Sequence, residues 1–317
     1  FSSLELSLGA RFDYISFTEE SDISPRMGLK YHLTPTLNFN MAAGRYFQPP
    51  FNEYLNSVRG NPKELRNYYA DQIVGGLEFF PSSDSRITLE YYTKQYADMV
   101  TFEMLKGSDG RDSLNYYKRI NGGEGRSRGL ELYIQKKYSN NWYGSLSWSH
   151  SISEGIDPRT KEYYPWKYDY RNVINLVGGY KIKYKDYDWY GSYKNSMFAK
   201  LFSWLPFMPS DEYQISLKYR YMGGQPYTPK HYDHSIREWY TNANDEWNTE
   251  RYGHYIRIDL MLQQRFHYEK VNLVVFWDIM NILNRKNPYE YMYLDDGTKI
   301  MSWQYTTFPV GGLILEF

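Results

Sequence analysis

The stretch "YQISLKYRYM" (Tyr213–Met222) alternates without a break: Tyr213, Ile215, Leu217, Tyr219 and Tyr221 oppose Gln214, Ser216, Lys218 and Arg220. A period of two places the two sets on opposite faces of a β-strand, one apolar and one polar and charged. In "LELSLGARFDY" (4–14), Leu4, Leu6, Leu8, Ala10, Phe12 and Tyr14 likewise oppose Glu5, Ser7, Gly9, Arg11 and Asp13. In "IRIDLMLQQRF" (256–266), Ile256, Ile258, Leu260 and Leu262 oppose Arg257, Asp259, Met261 and Gln263. The closing run sets Leu313, Leu315 and Phe317 against Glu316.

Extending this pattern predicts about twelve strands: 3–15, 23–34, 37–48, 69–81, 85–104, 118–138, 141–154, 168–183, 213–228, 253–267, 271–283 and 304–317. Several exceed the length of about 5–6 residues usual in soluble sheets, and about 10 residues let a tilted strand cross a bilayer. Short connections (Thr34-Pro35, 81–85, 139–141, 268–270) alternate with long ones (16–22, 49–68, 105–117, 155–167, 230–252, 284–303). Short turns at one end and long loops at the other are the asymmetry of outer-membrane barrels. The connection 184–212 breaks that order. Its Met197, Phe198, Leu201, Phe202 and Leu205 stand at near-helical spacing, which predicts an amphipathic helix at the inner interface.

Composition agrees. Of 317 residues, 19% are aromatic, with 36 Tyr and 9 Trp, whose apolar bodies and polar tips suit a membrane interface or a sugar-binding surface. The mean hydropathy of −0.71 is what an alternating barrel shows, and no long apolar run offers a transmembrane helix. The 37 basic and 37 acidic side chains cancel, so no basic face for nucleic acid is expected. Without cysteine there is no disulfide scaffold and no thiolate metal site. A soluble, aromatic-rich glycan-binding sheet shares the same period. The long strands, the continuous meander and the Tyr clusters at strand ends favour the membrane.

Several segments, in order, resemble the barrel of TonB-dependent outer-membrane transporters. They are "SPRMGLKYHLTPTLNFNMAAGRYFQPP" (24–50), "INGGEGRSRGLELYIQKKYSNNWYGSLSWSHS" (120–151), "DYRNVINLVGGY" with "YRYMGGQPYTP", and "FWDIMNILNRKNPYEYMY" followed by "FPVGGLILEF". The style is similar to that of transporters from the Bacteroidetes group. The resemblance implies an all-β, antiparallel, up-and-down transmembrane barrel, of which residues 1–317 supply the C-terminal part of 22 strands. It implies a plug domain and further N-terminal strands outside this chain, an inner-membrane TonB complex acting through the plug, outer-membrane lipid around the wall, and, as a possible partner, a surface lipoprotein lid. It implies import of a scarce solute, no enzyme activity and no cofactor; siderophore chelates, cobalamin, glycans and peptides all remain open. A self-contained twelve-stranded pore or translocator is the alternative.

The loop "HYDHSIREWYTNANDEWNTERYGHY" (231–255) is the most unusual. Its Tyr232, Trp239, Tyr240, Trp247, Tyr252 and Tyr255, with Tyr54 of the loop 51–72, are candidates for stacking on a solute. The bland alternative is packing between loops. His231 and His234 flanking Asp233 are too few for a metal site. Arg11, Lys218, Arg220, Arg257, Asp259 and Arg265 are expected to face a wet lumen, where charge is tolerated. Ser149 and His150 in "SHS" would be the catalytic residues of an outer-membrane lipid hydrolase, a remoter reading.

Overall fold

The computed structural model describes residues 3–55, 64–106, 112–241 and 247–317. The centres of the predicted loops 49–68 and 230–252 and the tip of 105–117 lie outside the described residues.

Twelve strands form one antiparallel meander in strict chain order. They are β1 (Leu4–Ile15), β2 (Glu20–Thr34), β3 (Leu37–Gln48), β4 (Tyr68–Ser82), β5 (Ser85–Lys106) and β6 (Asp112–Ser139). They continue as β7 (Trp142–Ile156), β8 (Asn172–Ile182), β9 (Glu212–Met222), β10 (Tyr255–His267), β11 (Asn272–Met280) and β12 (Phe308–Glu316). The short strand Tyr163–Pro165 adds to the end of β7. Among the described residues no ladder joins β1 to β12, so both are edges.

The register turns the alternation into two surfaces. Between β9 and β10, Ile215 faces Leu262, Leu217 faces Leu260 and Tyr219 faces Ile258, while Lys218 faces Asp259 and Arg220 faces Arg257. The like-charged pair Arg220–Arg257 would repel. It is relieved by Arg220 Nε donating to Asn175 Oδ1 at 3.0 Å and by Arg257 Nη2 lying 2.8 Å from Asp259. On the other face Leu8, Ile23, Leu77, Leu176 and Leu217 are exposed. So broad an apolar surface is intolerable in water and is the surface a barrel turns to lipid.

Tight turns gather at one end. Asn140 and Asn141 both take positive φ (50° and 68°), the backbone a two-residue hairpin turn demands. Thr34 Oγ1 accepts from the Leu37 backbone at 3.0 Å, closing the turn after β2.

Four expectations needed correction. β2 begins at Glu20, so the predicted long connection 16–22 is a turn of residues 16–19, closed where Glu19 takes φ 59°. β8 begins only at Asn172, because Arg171 takes φ 63° and breaks the extended backbone of the predicted strand 168–183. β9 stops at Met222, where two glycines follow. The segment 184–212 is not one helix: a 3-10 turn (Tyr184–Asp186) and two short helices (Asp188–Asn195, Met197–Phe202) meet at Ser196, whose side chain caps the second by accepting from Ala199 N at 3.1 Å.

Candidate ligand site

At the long-loop end, "MGGQPY" (Met222–Tyr227) brings three loops together. A Cβ on Gly223 would lie 2.0 Å from the Tyr170 carbonyl oxygen, and one on Gly224 would lie 1.9 Å from that of Tyr252. Only glycine permits such backbone approach. Pro226–Tyr227 then pairs with Glu250–Arg251. Beneath this junction the side chain of Asp169 is fully buried. It accepts from Ser153 N at 3.0 Å and Arg251 Nη2 at 2.6 Å, and lies 2.9 Å from Arg171 Nε. A carboxylate meeting two guanidinium groups and a backbone amide ties the connection after β7 to β7 itself and to the connection after β9.

Above this junction opens a cavity of about 480 Å³. Its lining includes Tyr168, Tyr170, Tyr227, Tyr252, Tyr255 and Tyr289, with Lys167, Gln225, Asn248, Glu290 and Gln304 as polar groups. Tyr227 stacks on Tyr252, and both pack against Tyr291 at 5.3 and 5.4 Å. The Lys299 ammonium sits 3.8 Å from the Tyr291 ring centroid, a cation held over a π face. The Tyr227 hydroxyl donates to Glu250. Burial, and then that carboxylate, push the Tyr227 phenol well above its ordinary range, so it stays a neutral donor.

A second cavity of about 330 Å³ lies further along the polar face, lined by Arg257, Met280, Asn281, Tyr305, Thr306 and Phe308. Tyr255 and Gln304 line both. Two buried asparagines shape this region: Asn287 exchanges bonds of 2.9 Å with the Ile256 backbone, and the Asn281 N–H donates to Asp259 at 2.9 Å.

The predicted aromatic residues do not form one cluster. Tyr252 and Tyr255 line the larger cavity. Tyr232 and Trp239 are cross-strand partners in the small hairpin His231–Asp233/Glu238–Tyr240. They dock it on the hairpin Pro288–Tyr293/Lys299–Trp303, with Trp239 Nε1 donating to Leu294 O at 2.7 Å and 4.7 Å separating the Trp239 and Tyr293 rings. Tyr240 lies 5.9 Å from His231. Trp247 packs with Phe102 and Tyr164 and beneath the Arg159 guanidinium. Tyr54 sits apart, against Phe51 and Arg119. Sequence reasoning missed Tyr168, Tyr170, Tyr227 and Tyr289; the Tyr-rich runs "KYDYR" and "NPYEYMY" were the available signal for all but Tyr227, which stands in "GGQPY".

The six charged candidates share the polar face. Arg11 pairs with its neighbour Asp13, and Arg265 Nη2 donates to Glu316 at 3.1 Å, while Lys218, Arg220, Arg257 and Asp259 adjoin one another. Ser149 and His150 point to opposite faces as successive strand residues must, and His150 Nδ1 is occupied with Asn172 Oδ1 at 3.0 Å, so they form no dyad. Asp233 accepts from Ser235 N and Oγ, and the His234 ring packs on Tyr232. Among the described residues no group of three His, Asp or Glu side chains is placed to hold a metal.

No curated protein sequence matches the chain. The family described as TonB dependent receptor-like, beta-barrel, matches residues 1–282. Among solved structures, the outer membrane transporter YddB from Escherichia coli superposes with a TM-score of 0.65 at 13% identity, over 99% of this chain and 43% of that one. The ferripyoverdine receptor of the Pseudomonas aeruginosa outer membrane gives 0.62 at 16%, over 99% and 36%. The Pseudomonas aeruginosa ferric enterobactin receptor gives 0.60 at 16%, over 90% and 38%. The chain thus spans less than half the length of these structures, and at such identities they establish the fold. With its sequential meander and its family match over most of its length, this chain belongs to the TonB-dependent receptor β-barrel family, whose members reside in the outer membrane of Gram-negative bacteria.

Proposed function

We propose that this chain forms part of the wall and mouth of an energised outer-membrane importer. The observation that carries the reading is the pair of cavities joined through Tyr255 and Gln304: a tyrosine-lined chamber among the outer loops, then a smaller one along the polar face. Ring faces, phenol donors and a few amides and charges suit a solute with flat or sugar-like surfaces and several polar groups. Such a solute is captured outside and descends along the lumen, past Arg257 and Asp259.

The open edges β1 and β12 require partners, because unpaired strand edges are untenable in hydrocarbon. We assign them to further strands of the same receptor, and the opening of the lumen to a plug pulled by the TonB complex. A surface lipoprotein lid over the tyrosine chamber fits the same scheme. None of the lining residues is catalytic.

The test is uptake by Gram-negative cells expressing the full receptor, with labelled ferric siderophores, cobalamin, oligosaccharides and peptides offered in turn. One class is expected to enter only where TonB is functional, and less well with Tyr252→Ala. Passage of small solutes independent of TonB would instead identify a self-contained pore.

A further inference from the structure

Gln264 stands where an aliphatic side chain is expected. Its register places it on the apolar face between Leu262 and Phe266, opposite Tyr213 and Val275, yet it is fully buried. What covers it is the connection between β8 and β9, lying against the outside of the wall. Gln264 Nε2 lies 2.8, 2.8 and 2.7 Å from the carbonyls of Ser203, Leu205 and Met208, its two hydrogens shared among the three. The Tyr213 hydroxyl donates to Pro206 O at 2.6 Å and Trp204 Nε1 to Leu201 O at 2.8 Å. Backbone N–H groups of Ser203, Leu205 and Met208 serve the carbonyls of Ala199, Phe202 and Leu205.

A short helix and the turns after it leave carbonyls open, and in water they need no protein partner. In hydrocarbon each one must be met from within the protein. This segment meets seven of them, at residues 199, 201, 202, 203, 205, 206 and 208, and places a glutamine on the lipid-facing side of a strand to do so. Its side chains are arranged to match. Ala199 is buried toward the wall, while Met197, Phe198, Leu201, Phe202, Trp204 and Phe207 are exposed, Phe207 by 75%. The base is fixed by Asp211, which accepts from Lys194 Nζ at 2.8 Å and His267 N at 2.7 Å.

We propose that residues 197–208 are a lipid-immersed wedge, seated among the acyl chains of the periplasmic leaflet and clamped to the wall by Gln264. The occupant of the exposed face is phospholipid, because that face adjoins the apolar surface of β9 and β10, where Ile215 and Leu217 are exposed. The wedge shares its rim with the tight turns, which places it on the periplasmic side. It covers the wall up to Leu262, and the five residues from there to the strand end at His267 span roughly 16 Å along the strand, enough to reach into the acyl region. Lys200, exposed on the same helix, has the reach to place its ammonium among the headgroups. The inference concerns how the wall sits in lipid and holds whatever the transported solute.

These 317 residues contain no cysteine, so with any cysteine elsewhere in the full receptor replaced by serine, single sites can be spin-labelled. Phe207→Cys and Phe198→Cys, in vesicles of phosphatidylethanolamine and phosphatidylglycerol, are compared with Leu217→Cys on the bare wall and Tyr305→Cys in an outer loop. Folding is checked by the heat-dependent gel shift of the barrel, and either wedge site suffices. Collisions with oxygen are expected to dominate over those with an aqueous nickel chelate, as at Leu217. Nickel dominance like that at Tyr305 would put the segment in periplasmic water and overturn the proposal. Protection from both reagents would show a protein partner seated there and would overturn it equally.

Discussion

The rings of Tyr227 and Tyr252 stack with centroids 4.4 Å apart and 25° between their planes, although the residues lie on opposite sides of a long outer loop. The pair forms one wall of the larger cavity. Tyr252→Ala removes the stack and the face it offers, so solute binding to the purified receptor is expected to weaken by about 1.5 kcal/mol, roughly tenfold in Kd. Tyr252→Phe keeps the ring and should retain most of the affinity. Calorimetric titration of both variants checks this, and equal losses would mean the hydroxyl rather than the ring matters.

Gly224→Ala tests the loop junction. The new methyl would meet the Tyr252 carbonyl oxygen at 1.9 Å, a backbone atom that cannot swing aside. Forced separation of the strands is expected to cost about 1–3 kcal/mol locally. Hydrogen exchange should quicken at residues 225–227 and 250–252, with the barrel's own protection unchanged.

Asp169→Ala leaves Arg171 and Arg251 without the carboxylate that they share. Both guanidinium groups keep about a third of their surface in water, which softens the penalty to about 2–3 kcal/mol, below that for a wholly buried pair. Limited proteolysis should then cut between β7 and β8 faster than it cuts the unsubstituted protein. Arg251→Ala alone, with Arg171 still in place, should do less.

Two groups in the outer loops set a pH window. Burial raises the Asp157 pKa, but side-chain and backbone hydrogen bonds from Arg159 outweigh it and hold the group below its ordinary 3.8. A depressed carboxyl stabilises fully above 3.8 and loses that contribution as pH falls through the folded value. Tyr227, raised above its ordinary 10.0, behaves the opposite way: its contribution is complete below pH 10 and is lost as pH climbs through the folded value. The loops should therefore hold one conformation from about pH 5 to about pH 9. The ¹⁹F resonance of fluorotryptophan at Trp247, whose ring lies 4.4 Å from the Arg159 guanidinium, reports the acid limb. A shift near neutrality would contradict the assignment.

Gln264→Leu restores the aliphatic pattern of β10 but removes the two N–H donors that the carbonyls of Ser203, Leu205 and Met208 share. The barrel should remain folded, while a spin label at residue 207 gains mobility. If the label stays as ordered as before, the apolar contacts of the segment alone hold it.

The strands were legible because lipid and lumen impose opposite chemistry on successive residues, as Ile215 and Ser216 show. The ends of strands were less so. Tyr168 and Tyr170 sit in an alternating run, and only the left-handed φ of Arg171 removes them from β8 and turns them into cavity lining. The roles of Tyr232 and Trp239 depend on Leu294 and Asp295, more than fifty residues away, so local pattern carried no sign that their polar tips were already engaged. Gln264 looked like one more polar residue in "MLQQRF"; the even register that puts it on the outside was readable, but its partners belong to a connection with no fixed period.

β5 and β6 run for 22 and 28 residues, more than twice the roughly 10 needed to cross the bilayer, so their upper halves stand well clear of the headgroups. Phe102, on that raised portion, touches Trp247, next to the cavity-lining Asn248. A sideways push on this raised portion would pass through that aromatic contact to the rim of the tyrosine chamber.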